Sequence, residues 1–199
     1  MIAAFALILV AVLYRVAIPH LAPEAAAFWA NFAPLSAIAL CGAVWLPKKV
    51  ALYIPLLALF VSDLVLNSHY GFPLVSVEMI LRYVSFAAVA GIGLALRANP
   101  SLGRLIGGSL LGSLLFYVVT NTGSWIGAPE YAKTFGGWIQ ALTVGVPGFP
   151  PTWHFFRNTV ASDLLFTTVF AACMFATSRA QTSESAAPAG VTPHNAAGR

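Results

Sequence analysis

The sequence predicts an all-α polytopic membrane protein, a bundle of about six transmembrane helices. Three observations carry this. Hydrophobic residues make up 59% of the 199-residue chain and charged residues only 8%, against about 25% charged in a typical soluble domain. The apolar residues also come in long blocks, without the polar face of a surface helix. Alternating ten-residue segments of the kind that build a transmembrane barrel are not visible.

The first block runs from Ile2 to about Pro19. Ala25-Ala26-Ala27 offers the small residues of a signal-peptide cleavage site. Yet no basic n-region precedes the block, and Arg15 falls where an apolar core should continue, which favours a retained helix. The second block, Ala33 to Leu46, is short against the roughly 20 residues of a full span. It either starts earlier, near Phe28, or is tilted or broken around Pro34. Pro47-Lys48-Lys49 turns into the third block, Val50 to Leu66, and Asn67 to Pro73 reads as a loop. The fourth block is Leu74 to Leu96, closed by Arg97-Ala98-Asn99-Pro100. The fifth is Leu105 to Thr122, and the sixth runs from Asn158 to Thr177.

Between the last two lies a Gly-, Pro- and Trp-rich segment. Its middle, Thr134 to Val144, is expected to form a short interfacial or re-entrant helix, anchored by Trp125, Trp138 and Trp153. Residues 1–177 form one transmembrane domain on this reading. The Ala/Ser/Thr/Pro-rich tail, 178–199, is expected to be disordered and cytoplasmic.

Loop charges give the orientation. Lys48 and Lys49 follow the second span, Arg97 and Arg104 flank the loop after the fourth, and Arg179 follows the sixth. The positive-inside rule then places both termini of a multi-pass chain in the cytoplasm, with the chain in the cell's inner (cytoplasmic) membrane. The net charge of +4 comes from scattered bases, not from a basic patch interleaved with aromatics. That excludes a nucleic-acid partner and leaves the lipid bilayer as the first one. Cys41 and Cys173 sit in apolar stretches without metal-ligand spacing and read as packing thiols. No cofactor and no metal site are expected, since His20, His69 and His154 could converge only through the fold.

Function is sought in the charges that fall inside the apolar blocks: Arg15, Asp63, Glu78, Arg82, Arg157 and Asp163. Each costs about 2.5–3.5 kcal/mol at a helix centre and so needs a reason. Every base is Arg, whose planar fork pairs bidentately with carboxylates. Glu78 and Arg82 stand at i, i+4 in the favourable order for an intrahelical pair. Two readings stand: structural ion pairs involving Arg15, Glu78, Arg82 and Asp163, or the lining of a polar ligand cavity. Together with Asn31, His20, His69, Tyr70, Asn121, Trp125 and His154, these charges concentrate polar chemistry on the extracytoplasmic half. A proton relay across the membrane needs ionisable groups on both halves, whereas an outward-facing binding cavity needs them on one.

The fifth block carries Ser109, Ser113, Tyr117 and Asn121 at i, i+4 spacing, beside the small-residue step Gly108/Gly112, which predicts a close helix contact. The sixth repeats the spacing with Thr159, Asp163 and Thr167. Ser62-Asp63-Leu64 recurs as Ser162-Asp163-Leu164, a weak sign of internal duplication. No nucleophile–base pair or H-E-x-x-H is present, so the chain does not read as an enzyme.

Asn31-Phe32-Ala33-Pro34 with Ala37-Ile38-Ala39-Leu40, Pro55 to Ala58 leading to Ser62-Asp63, Thr120-Asn121, and Phe156-Arg157-Asn158-Thr159 leading to Asp163 form a motif set. Over residues 12–175 it resembles a family of small bacterial membrane proteins named only as transport proteins. These are similar in size and helix count to the substrate-binding S components of energy-coupling-factor vitamin transporters, solitary cobalamin transporters included. The resemblance implies uptake of a small-molecule substrate, a vitamin or related micronutrient such as a cobalamin-like compound. It also implies an energy-coupling transmembrane partner. The substrate-binding residues would be Asn31, Asp63, Glu78, Arg82, Asn121, Trp125, Arg157, Asn158 and Asp163. The alternatives are a structural subunit of a membrane complex and, behind it, an intramembrane enzyme using Asp63 and Asp163.

Overall fold

The computed structural model describes residues 2–21, 32, 34–71, 73 and 75–186, with backbone alone for 18, 19 and 182–186. The described residues form seven helices: α1 (Ile2–Leu21), α2 (Leu35–Trp45), α3 (Tyr53–Tyr70), α4 (Val77–Leu96), α5 (Leu102–Gly127), α6 (Phe135–Leu142) and α7 (Thr152–Ala186). Each apolar block of the sequence is one helix, and α6 stands where the short extra helix was expected. Three helices are long and apolar enough to cross a membrane: α4, α5 and the Thr152–Gln181 part of α7. Two shorter stretches, Ile2–Ala17 and Leu35–Trp45, are apolar as well.

Local chemistry sets the ends. Ser76, Ser101 and Thr134 cap α4, α5 and α6, each side chain accepting from the N–H three residues on. Leu46 leaves α2 in an extended conformation ahead of Pro47, whose carbonyl accepts from Val50 and Ala51 in the turn to α3. α3 stops at Gly71, left-handed at φ 69°, its N–H returned to Asn67 O. α7 starts at Thr152, directly after Pro150-Pro151, and so earlier than the expected Asn158. It also runs past Thr177 to Ala186, so the first part of the expected disordered tail is helical, and residues 187–199 lie outside the described ones.

α2 is the hub. Every residue from Ser36 to Val44 is buried, and α2 touches α1, α3, α4, α5 and α7. Close approach to α4 requires Gly93, where a Cβ would stand 2.3 Å from Leu40 O and 2.8 Å from Ala43 Cβ. Gly108 and Gly112 make the predicted close contact, facing Ile92, Leu96 and Val89 of α4. Outward faces are apolar on the long helices: Leu110, Leu111 and Leu114 on α5, Ile80 and Val84 on α4, Leu165 and Val169 on α7. Apolar rows of this extent match a lipid solvent rather than water.

Both ends of α2 meet an ionisable side chain from outside the helix. Pro34 at its start offers no capping side chain, and the Asp163 carboxyl of α7 faces Ser36 and the Ala37 N–H in the first turn. At the other end, Arg97 Nη1 donates to Ala43 O at 3.2 Å. A cation at the C-terminus suits the helix dipole.

Candidate functional site

Helices α1, α3 and α5 bring their C-termini, and α2, α4 and α7 their N-termini, to one end of the bundle. The pairings Arg15–Asp63, Gly123 with Leu81, and Tyr117–Phe156 fix this arrangement. Near that end Asp63 of α3 is the centre of a charge cluster. Arg15 Nη2 of α1 donates to Asp63 Oδ1 at 2.7 Å, and its Nη1 donates to Ser62 Oγ. Arg82 of α4 reaches both carboxylate oxygens from Nη1 at 3.3 Å, and Tyr83 faces the same carboxylate. The side chains of Arg15 and Asp63 are 11% and 2% exposed, while that of Arg82 is 31% exposed. Two guanidiniums therefore share one carboxylate. Among the described residues the cluster carries one surplus positive charge, and its more open cation is Arg82.

This corrects the intrahelical pair expected from sequence. Glu78 does not bond Arg82; it stands exposed in the first turn of α4 beside Ser76, where the helix N-terminus already favours a carboxylate. Arg82 turns instead to Asp63, the more buried acid. Of the four expected structural ion-pair residues, Arg15 and Arg82 are paired, and both with Asp63. Among the described residues no base lies within ion-pair distance of Asp163.

Asp163 occupies a different, wholly polar-neutral setting between α2, α5 and α7. It is fully buried, as are Ser36, Ser109, Ser113, Ser162 and Thr167 around it. Its Oδ2 lies 2.7 Å from Ser113 Oγ, and Thr167 Oγ1 donates to Ser109 Oγ at 3.3 Å. The α5 stripe and the α7 stripe thus meet face to face. Sequence reasoning singled out both stripes but not their pairing, and it missed Ser36, Ser62 and Tyr83 as neighbours of the acids.

The remaining described candidates, Asn121, Trp125, Arg157 and Asn158, lie toward the same end. Asn31 lies outside the described residues. Asn121 Nδ2 donates to Tyr117 O at 2.8 Å, and the Tyr117 hydroxyl donates to Leu142 O, tying α5 to the end of α6. Trp125 Nε1 donates to Ala132 O at 2.9 Å, and Trp138 Nε1 to Thr122 Oγ1 at 2.9 Å. Lys133 Nζ donates to the Trp125 and Ala128 carbonyls at the C-terminus of α5, a favourable place for a cation. In the same loop, burial and then the neighbouring Glu130 raise the Tyr131 phenol above its ordinary range, so it stays neutral. Arg157 is exposed and donates from Nε and Nη2 to Oδ1 of buried Asn158, at 3.3 and 3.1 Å.

Two of the three histidines do converge. The rings of His20 and His69 lie 4.1 Å apart at the ends of α1 and α3, whereas His154 packs on Trp153. Among the described residues no three His, Cys, Asp or Glu side chains group to hold a metal ion. Cys41 is buried and Cys173 is exposed, and both are free thiols.

The chain belongs to the DUF6580 family, a family of unknown function, whose profile matches residues 1–186. No curated protein and no solved structure matches it.

Proposed function

We propose that the chain is a membrane transport protein that binds a small molecule inside its bundle and takes it up, in the manner of a vitamin-transporter S component. On this reading α1 to α5 and α7 cross the bacterial inner membrane and both termini are cytoplasmic. Lys48, Lys49, Arg97, Arg104 and Arg179 sit at the end of the bundle opposite the Asp63 cluster, which supports that orientation. The single observation that carries the binding role is the surplus charge of the cluster. A purely structural pair would need one Arg for Asp63. A second, more open guanidinium is costly in a membrane unless it has another partner to meet. A small molecule with a carboxylate or phosphate, entering from the outer side, supplies that partner. Arg82 offers it a planar fork.

The test is to purify the protein from its native membrane in mild detergent and read co-purifying small molecules by native mass spectrometry. Growth of cells lacking the gene is followed in parallel with each vitamin made limiting. A bound anion lost in Arg82→Met, with a matching growth defect, supports uptake. An empty protein and normal growth throughout would remove the proposal. A stoichiometric co-purifying protein in place of a ligand would install the partner-subunit reading instead.

A further inference from the structure

The hydrogen-bond geometry around Asp163 poses a proton-counting problem. Ser113 Oγ lies 3.0 Å from Ser109 O and 2.7 Å from Asp163 Oδ2. Both neighbours are acceptors if the carboxyl is ionised, and a serine hydroxyl has one hydrogen to give. One of the two short contacts would then be oxygen against oxygen with nothing between them. A proton on Oδ2 resolves this: the carboxyl donates to Ser113 Oγ, and Ser113 donates on to Ser109 O.

The other carboxyl oxygen argues the same way. Oδ1 is fully buried and makes no hydrogen bond of good geometry, although Ser36 and the Ala37 N–H face the carboxyl from the first turn of α2. An ionised oxygen at a helix N-terminus draws such donors into short, charge-assisted bonds. A neutral carbonyl oxygen does not. Among the described residues no cation compensates it either, and a lone buried carboxylate resolves its desolvation cost by neutralising. The groups facing it from its neighbours bear this out. α5 presents the hydroxyls of Ser109 and Ser113. α2 presents Ser36 and the Cys41 thiol. On α1, Tyr14 packs on Phe166 and Arg15 is engaged by Asp63. α6 carries no ionisable side chain, and Arg157, His154 and Cys173 of α7 stand six, nine and ten residues from it along the helix, more than one and a half turns.

We propose that Asp163, Ser113 and Ser109 form a proton-binding site, in which the Asp163 carboxyl holds one proton that exchanges with water. Release gives a carboxylate and a hydronium ion. The new charge then pulls the Ser36 hydroxyl and the Ala37 N–H onto Oδ1, clamping the start of α2 to α7. Because α2 touches five other helices, the proton sets how tightly the hub is held. The site is independent of the uptake reading and stands or falls without it.

Infrared difference spectroscopy on the full chain in phosphatidylcholine/phosphatidylglycerol nanodiscs tests this. The expected result at pH 7 is a protonated-carboxyl C=O band that moves down on transfer to D₂O and is missing in Asp163→Asn. Ser113→Ala, which keeps the carboxyl but removes its acceptor, should shift the band up, while Asp63→Asn leaves it in place. Should Asp163→Asn fail to fold, the Ser113→Ala shift decides. A spectrum without the band, a band that ignores D₂O, or one unmoved by Ser113→Ala overturns the proposal and leaves an ionised carboxylate serving only as the cap of α2.

Discussion

Arg15 and Arg82 contact the same carboxylate, yet their removal should have opposite consequences. At an effective dielectric of about 20, the 2.7 Å and 3.3 Å contacts correspond to about 6 and about 5 kcal/mol of attraction. Desolvation and the repulsion between the two guanidiniums work against both. What separates them is burial and what each leaves behind. Arg15→Met strips Asp63 of its short, buried partner and leaves it to a longer contact with an open side chain. Breaking a buried pair in this way costs about 3–5 kcal/mol. Arg82→Met leaves a balanced Arg15–Asp63 pair and removes a cation that is a third exposed, so stability should change by about 0–1 kcal/mol. Ligand retention should follow the reverse order, Arg82→Met losing about ten- to a hundredfold in affinity, the worth of one charge-assisted hydrogen bond. Reversible unfolding in SDS, followed by tryptophan fluorescence, measures the first quantity. Native mass spectrometry of the purified variants measures the second. Equal destabilisation by the two substitutions would refute the division of roles.

Other substitutions probe the frame around the cluster. Gly93→Ala should cost about 1–3 kcal/mol in the same unfolding assay, because its methyl collides with the α2 backbone at Leu40. Gly91→Ala, two residues away with open space around it, should be neutral or slightly stabilising through helix propensity. Glu78→Gln should leave stability within about 0.5 kcal/mol, as expected of an exposed acid outside any buried ion pair; a larger loss would reinstate the intrahelical pair with Arg82. Arg97→Met should cost about 1 kcal/mol by releasing the C-terminus of α2, read as a lowered melting temperature.

Much of the frame is legible in the sequence because apolar run length is a local signal. The blocks that became α1 to α5 and α7, the short α6, and the Gly108/Gly112 contact all rest on residues close together in the chain. Helix ends were harder. Hydropathy reports where a helix leaves an apolar solvent, not where hydrogen bonding stops. So α5 continues past Thr122 to Gly127 and α7 past Thr177 to Ala186, through polar residues that a helix tolerates. The pairing of charges was the least accessible. An i, i+4 acid is always within reach of Arg82, but the choice between Glu78 and Asp63 depends on which is desolvated. That is a property of the packed bundle. The meeting of His20 with His69 is of the same kind.

The two Ser-Asp-Leu steps show how far identical local sequence can diverge once packed. Ser62-Asp63 and Ser162-Asp163 are all fully or almost fully buried, so both aspartates face the same desolvation cost. Asp63 meets two guanidiniums, Arg15 and Arg82. Asp163 meets hydroxyls, which can accept the carboxyl's hydrogen bond as readily as they donate to an anion, beside a helix N-terminus whose N–H groups only donate. The first arrangement recognises a charged molecule. The second responds to proton activity, because its donors and acceptors can reverse roles without moving far. Moving one aspartate into the other's setting is therefore the sharpest trial of the assignment. Ser113→Arg should give Asp163 the kind of partner Asp63 has, convert it into an ion pair and abolish its protonated-carboxyl band. If Ser113→Arg folds and the band persists, then the lack of a cation is not what keeps the Asp163 carboxyl protonated.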